Sequence, residues 1–203
     1  MNNSPAQHFF KTSFPVPVGP TDFCGNTLNF IQIGDQYWTT QEFTCTNFYN
    51  GDAIPLKSTT NGGCSGTFDT ATSSAYTVQS GKKFYNGYCF TDARELIDTS
   101  NGWRKPTNAD FDKLIAFVND GGAKSYRLKS VGYPVTGGST PGTNELGWNG
   151  VTGLVACGAD FTTTFYGNVS TQTLQFGQAN NIIQRSSGSS TIGYFVRFVK
   201  DNV

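Results

Sequence analysis

Thr107-Asn108-Ala109-Asp110-Phe111-Asp112-Lys113-Leu114-Ile115-Ala116-Phe117-Val118, followed by Asn119-Asp120-Gly121-Gly122, is the stretch on which the reading of the fold turns. Thr107 supplies the hydroxyl of an N-cap, and Asp110 puts a carboxylate in the first turn, where the helix dipole favours negative charge. Phe111, Leu114, Ile115 and Val118 fall at i, i+3, i+4 and i+7, one apolar stripe for packing on a core. Gly121-Gly122 ends the helix. A shorter helix is expected over residues 92–98, stopped by Asn101-Gly102. One strong and one weaker helix are thus set among scattered short strands and turns.

Upstream, residues 28–33 and 36–40 flank Gly34-Asp35 and read as a hairpin, because Asp beside Gly suits a tight turn. A further turn falls at Asn50-Gly51-Asp52. Residues 57–82 form a long Gly, Ser and Thr-rich stretch without strong periodicity. Past Gly132, strands are expected at 150–156, 161–166, 173–176 and 193–200. In the last, Tyr194, Val196 and Phe198 alternate with Phe195, Arg197 and Val199, so the face carrying Arg197 is expected to be less deeply buried.

The 203 residues fit one domain with one sizeable core. Residues 1–26, with Pro5, Pro15, Pro17 and Pro20 among Phe9, Phe10 and Phe14, read as an extended arm, either docked on the domain or a neighbouring subunit or a disordered terminus; residues 27–203 read as the domain. Charged residues make up 14% of the chain, against about a quarter in an average soluble protein, and Gly and Thr together supply about a quarter of it. Fourteen basic residues balance fourteen acidic ones, with no block of like charge, so nucleic acid is not an expected partner. No apolar run approaches the ~20 residues of a membrane span. The first twenty residues lack the pattern of a secretory signal. The five cysteines, Cys24, Cys45, Cys64, Cys89 and Cys157, show no metal-ligand spacing, and their pairing stays open.

Several segments recur in a familiar order: residues 33–38 (Ile-Gly-Asp-Gln-Tyr-Trp), 48–55 (Phe-Tyr-Asn-Gly-Asp-Ala-Ile-Pro), 84–88 (Phe-Tyr-Asn-Gly-Tyr), 102–107 (Gly-Trp-Arg-Lys-Pro-Thr), 144–148 (Asn-Glu-Leu-Gly-Trp) and 193–201 (Gly-Tyr-Phe-Val-Arg-Phe-Val-Lys-Asp). As an ordered set over residues 28–201 they resemble the Fibrobacter succinogenes major paralogous domain. The resemblance implies an α+β, C-type-lectin-like and formylglycine-generating-enzyme-like fold, loop-rich, with small antiparallel β-sheets and two flanking helices. It also implies surface-associated proteins of Bacteroidota and related bacteria, and of phages that infect them. It carries over no catalytic residue. The chain lacks the Glu-Pro-Asn, Gln-Pro-Asp and Trp-Asn-Asp triplets of calcium-dependent sugar binders, so no metal or cofactor is expected.

His8, in the arm, is the only histidine, which leaves a Ser-His or Cys-His nucleophile system without a base. Asp92, Glu95 and Asp98 read as a solvated face. Trp38 and Trp103 read as packing residues. Residues 160–191 are dense in aromatic, amide and hydroxyl side chains of the kind that line binding loops. Candidate ligand-binding residues are Trp148, Asn149, Asp160, Tyr166, Asn168, Gln178, Asn180 and Asn181; Trp148 is equally read as core. Phe9, Phe10 and Phe14 are the candidate docking residues. The expectation is a non-enzymatic phage virion surface protein, a spike, fibre tip or decoration subunit. It would form a homo-oligomer, bind a host cell-surface receptor such as a glycan, and contact other virion proteins through its arm. A bacterial cell-surface adhesin and a formylglycine-generating-type oxidase are the alternatives.

Overall fold

Gly34, at φ +62°, turns the chain between strands β1 (Phe30–Ile33) and β2 (Gln36–Thr39), and the antiparallel register Ile33↔Gln36 leaves only Gly34 and Asp35 in the loop. The expected hairpin is present. The computed structural model describes residues 17–58, 72–79, 81–133, 139–150, 164–170, 172–176 and 181–202. Across them the chain is mixed α+β, with three small antiparallel sheets and two α-helices. Strand β2 also pairs with the last strand, β9 (Val199–Asp201), so both ends of the domain close in one sheet of order β1-β2-β9.

Two of the three strands of the second sheet lie where no strand is expected, and the third falls in the strand expected over 193–200. β3 (Tyr76–Gln79) falls at the end of the Gly, Ser and Thr-rich stretch, pairs with β4 (Lys82–Asn86), and β4 pairs with β8 (Gly193–Tyr194). β4 runs directly into α1 (Gly87–Thr91). Residues 92–98, expected to be helical, are not. The Asp92 carboxylate accepts from the Arg94 backbone N–H at 3.0 Å, and buried Lys105 donates to the carbonyls of Asp92 and Arg94, so local side-chain bonds replace helical ones.

The helix of the opening stretch forms as α2 (Asn108–Val118), with Phe111, Leu114 and Val118 buried and Ile115 at the margin. Its capping box is complete: the Asp110 N–H donates to the Thr107 hydroxyl, and Asp110 Oδ2 accepts from the Thr107 N–H at 2.7 Å. Asp110 also takes the Gln36 side-chain amide at 2.7 Å and both terminal nitrogens of Arg104, and Arg104 reaches on to Asp201 at 2.9 Å. One carboxylate thus joins the helix start to β2 and, through Arg104, to β9. Burial opposes its charge, yet the hydrogen bonds from Arg104 and Thr107 hold its pKa below the ordinary value.

The third sheet, β5 (Thr164–Gly167), β6 (Gln172–Phe176) and β7 (Ile183–Ser187), leans on α2 through the Arg185–Asp112 pair at 2.7 Å. Gly167 is required there, since a Cβ on it would lie 2.5 Å from the Phe90 ring.

Two aromatic-rich clusters fill the interior. One gathers Phe43, Phe48, Tyr85, Phe90 and Trp103; the other gathers Trp38, Phe111, Trp148, Tyr166 and Phe176. The C-terminal segment runs between them, with Tyr194, Val196 and Phe198 in the first and Phe195 and Val199 in the second. Both of its faces are therefore buried, and the expectation that the Arg197 face is the shallower one is wrong: Arg197 is 1% exposed. The expected single strand over 193–200 is also interrupted, pairing as β8 and β9 with residues 195–198 between them.

A disulfide joins exposed Cys24 to buried Cys45 across 21 residues, and free Cys89 is buried. Trp103 Nε1 donates to the Val18 carbonyl at 2.7 Å, and the Leu28 N–H to that of Pro20 at 2.9 Å, so residues 18–28 are tied to the first cluster. Closing a loop of this length constrains the unfolded chain by about 3 kcal/mol. A Cys24→Ser/Cys45→Ala variant is therefore expected to melt on the order of 10 °C lower by circular dichroism. A shift under about 2 °C would mean that the backbone bonds alone hold the segment.

Candidate functional site

Arg197 has no polar alternation to announce it, and its position explains why a cation is tolerated there. It leaves the C-terminal segment on the side of the second cluster and lies against the rings of both Trp148 and Tyr166, 4.9 and 5.3 Å from their centroids. Beyond them NH1 donates to the carbonyls of Thr39 and Trp148, both at 2.7 Å, and NH2 to Glu42 Oε1 at 2.6 Å and the Asn149 carbonyl at 3.3 Å. The Tyr166 hydroxyl donates to the same Glu42 oxygen at 3.2 Å. One buried guanidinium thus gathers the end of β2, the loop after it, the 148–149 turn and β5. Its planar fork of donors suits several acceptors at once, where an ammonium would serve fewer.

Against this clasp opens a cleft of about 300 Å³, lined by Glu42, Thr44, Gly81, Lys82, Lys83 and Phe195. Phe195 is buried and packs on Phe84, ring centroids 4.6 Å apart and tilted by 33°, forming an apolar wall. Lys83 Nζ donates to the Thr44 carbonyl at 2.6 Å and lies 5.7 Å from the Tyr76 ring, while Lys82 Nζ lies 5.8 Å over Phe195. Glu42 is 20% exposed; Arg197 and Tyr166 both bond its Oε1, which leaves Oε2 as an acceptor held in a fixed direction. The cleft therefore combines a positioned carboxylate oxygen, a hydroxyl, two ammonium groups and an apolar wall. Such a mixture orients a small polar ligand. A second, more open groove of about 560 Å³ lies between the β1–β2 turn and α2, where Lys113 and Asp35 pair at 3.2 Å.

Of the expected ligand residues, five are described, and three of these, Trp148, Tyr166 and Asn168, are buried. Trp148 and Tyr166 are packed in the second cluster and face Arg197, which corrects their assignment to a ligand-facing surface and supports the core reading of Trp148. Asn168 is buried as well; its Oδ1 accepts from the Ser170 and Gln172 N–H groups and its Nδ2 donates to Asn108, so it closes the β5–β6 turn instead of meeting a ligand. Asn181 spends its side-chain amide on Thr140, through bonds of 3.1 Å in both directions. Asn149 is exposed, at φ +56°, and lends its carbonyl to Arg197. Asp160, Gln178, Asn180, Phe9, Phe10, Phe14 and His8 lie outside the described residues, as do Cys64 and Cys157.

None of the cleft residues is anticipated. The one available signal is the run from Tyr194 to Val199: a charge inside a segment apolar on both faces implies a buried, partnered cation. Glu42, Lys82 and Lys83 carry no local pattern, since the loop after β2 and the start of β4 meet only in the folded chain.

The cysteines offer no activated thiol among the described residues. Cys24 and Cys45 are bonded to each other, and burial pushes the Cys89 thiol up to about 12, the reverse of what a nucleophile needs. Asp22 lies beside that disulfide and takes the backbone and side chain of Asn26. Of the three acids read as one solvated face, Asp92 instead binds Arg94 at 2.7 Å, and Arg94 lies 3.9 Å over the Phe48 ring. Burial also lowers the Lys129 pKa to about 8, with the Tyr133 ring 5.1 Å away.

Comparison with family models matches residues 31–200 to the Fibrobacter succinogenes major domain. No curated protein and no solved structure matches the chain.

Proposed function

We propose, for a chain that belongs to the Fibrobacter succinogenes major domain family, a non-enzymatic attachment role: a C-type-lectin-like module on a phage virion surface that binds a host cell-surface receptor. The cleft beside the Arg197 clasp is the observation that carries this reading. Its carboxylate, Glu42, is fixed by buried Tyr166 and Arg197 before any ligand arrives, which lowers the entropy lost on binding. The closed pairing of β2 with β9, the small sheets and the flanking helices support the lectin-like fold. The Cys24–Cys45 disulfide supports a place outside the reducing cytosol.

Receptor binding at a single small cleft is weak, and repeating the site in a homo-oligomer on a particle would raise its avidity without any new contact. The part of the arm before residue 17 would then join the module to other virion proteins, since residues 18–28 are tied to the domain itself. A bacterial cell-surface adhesin draws on the same cleft and disulfide. Immunodetection in purified virions against the host envelope separates the two settings, and saturable binding to intact Bacteroidota cells tests the attachment role common to both.

A further inference from the structure

The chemistry of the cleft goes further than its existence. Lys83 is half-buried, and its ammonium has a neutral carbonyl, that of Thr44, as its hydrogen-bond acceptor; among the described residues no carboxylate pairs with it. An ammonium carries three donors, so two remain for a ligand. A cation held partly out of water, with the Tyr76 ring 5.7 Å away and no described carboxylate paired with it, favours an anion at that point. Glu42, the one carboxylate of the lining, does not supply it, because Arg197 behind it takes up its charge at 2.6 Å. What Glu42 offers is Oε2, a directed acceptor that suits a hydroxyl donor and repels a second carboxylate.

The lining therefore asks for different groups on one molecule: an anionic group toward Lys83, beside Thr44, and a hydroxyl toward Glu42. At about 300 Å³ the cleft stands at the small end of ligand sites, which run from about 300 to about 1,000 Å³. It takes one compact unit of a chain. We propose that the cleft binds a single sugar unit bearing one anionic group, as in an acidic surface glycan. This rests on the reading of the cleft as the attachment site.

The test is calorimetric titration of the full chain with D-glucuronic acid, D-glucose and inorganic phosphate, repeated on Lys83→Gln and on Lys113→Gln, a lysine of the other groove. Glucuronate is expected to bind saturably and at least tenfold tighter than either glucose or phosphate. Lys83→Gln is expected to lose at least tenfold of that affinity at an unchanged melting temperature, and Lys113→Gln to lose none. Equal affinity for glucose removes the anion from the proposal, and equal affinity for phosphate removes the sugar. No binding of any of the three, or a Lys83→Gln variant that is folded and binds like the parent, overturns it. Saturable binding to cells that glucuronate-bearing glycans fail to compete would end this inference and leave the attachment role standing, whereas absence of cell binding would end that role itself.

Discussion

Replacing Arg197 with methionine is expected to lower the stability of the chain by about 3 to 5 kcal/mol, the range for removing one partner of a buried ion pair. The side chain is fully buried, and its loss leaves Glu42 facing apolar rings and the carbonyls of Thr39 and Trp148 without their donor. For a chain of this length that is a drop on the order of 10 °C in melting temperature, measured by calorimetry. Methionine keeps much of the volume, so the loss reports polar partners more than a cavity. Glu42→Gln alone should also destabilise, by orphaning the guanidinium, and the double variant should cost less than the sum of the two. A loss below about 1 kcal/mol for Arg197→Met would sink the idea that this clasp holds the loop face together.

Asp110→Ala is the second large effect, at about 3 kcal/mol, from one lost N-cap interaction and the charged hydrogen bonds to Arg104. The same carboxylate gives the protein a pH dependence of definite sign. Hydrogen bonds from Arg104 lower the pKa of Asp201, and those from Arg94 hold Asp92 well below the carboxylate range; Asp110 is lowered as well. A depressed folded-state pKa means stability that is fully present above the unfolded value, about 4, and lost as pH falls through the lowered values. Melting temperature should therefore hold steady from neutral pH down to about 5 and fall steeply below about 4. In Asp110→Asn the acid fall should be shallower, starting from a lower neutral value. Parallel profiles would mean that Asp110 carries no differential charge between the folded and unfolded states.

What local physics writes into the chain was legible in it. The α2 stripe, its Thr107–Asp110 cap and the Gly34-Asp35 turn depend on residues within a few positions of one another, and the structure holds all three. The helix expected over 92–98 failed because Asp92 bonds its own backbone neighbour, and Lys105, ten residues beyond Glu95, draws the carbonyls outward. Strand β3 was hidden since Tyr76–Gln79 is only four residues long and is registered by β4, not by its own alternation. The cleft was the least legible part. Its residues come from positions 42–44, 81–83 and 195, and only the packing of two cores around the C-terminal segment brings them together. Tyr166 and Asn168 looked like ligand residues by type, and tertiary burial turned both to structural work.

The attachment role is tested most directly by adding fluorescently labelled, folded protein to intact cells of Bacteroidota strains, with their isolated surface glycans as competitors. The expected result is saturable binding to some strains and not others, competed by their glycans, lost in the Lys83→Gln variant and retained in Lys113→Gln. Absence of saturable binding to any strain by protein of native melting temperature, presented as a multivalent display, would contradict it.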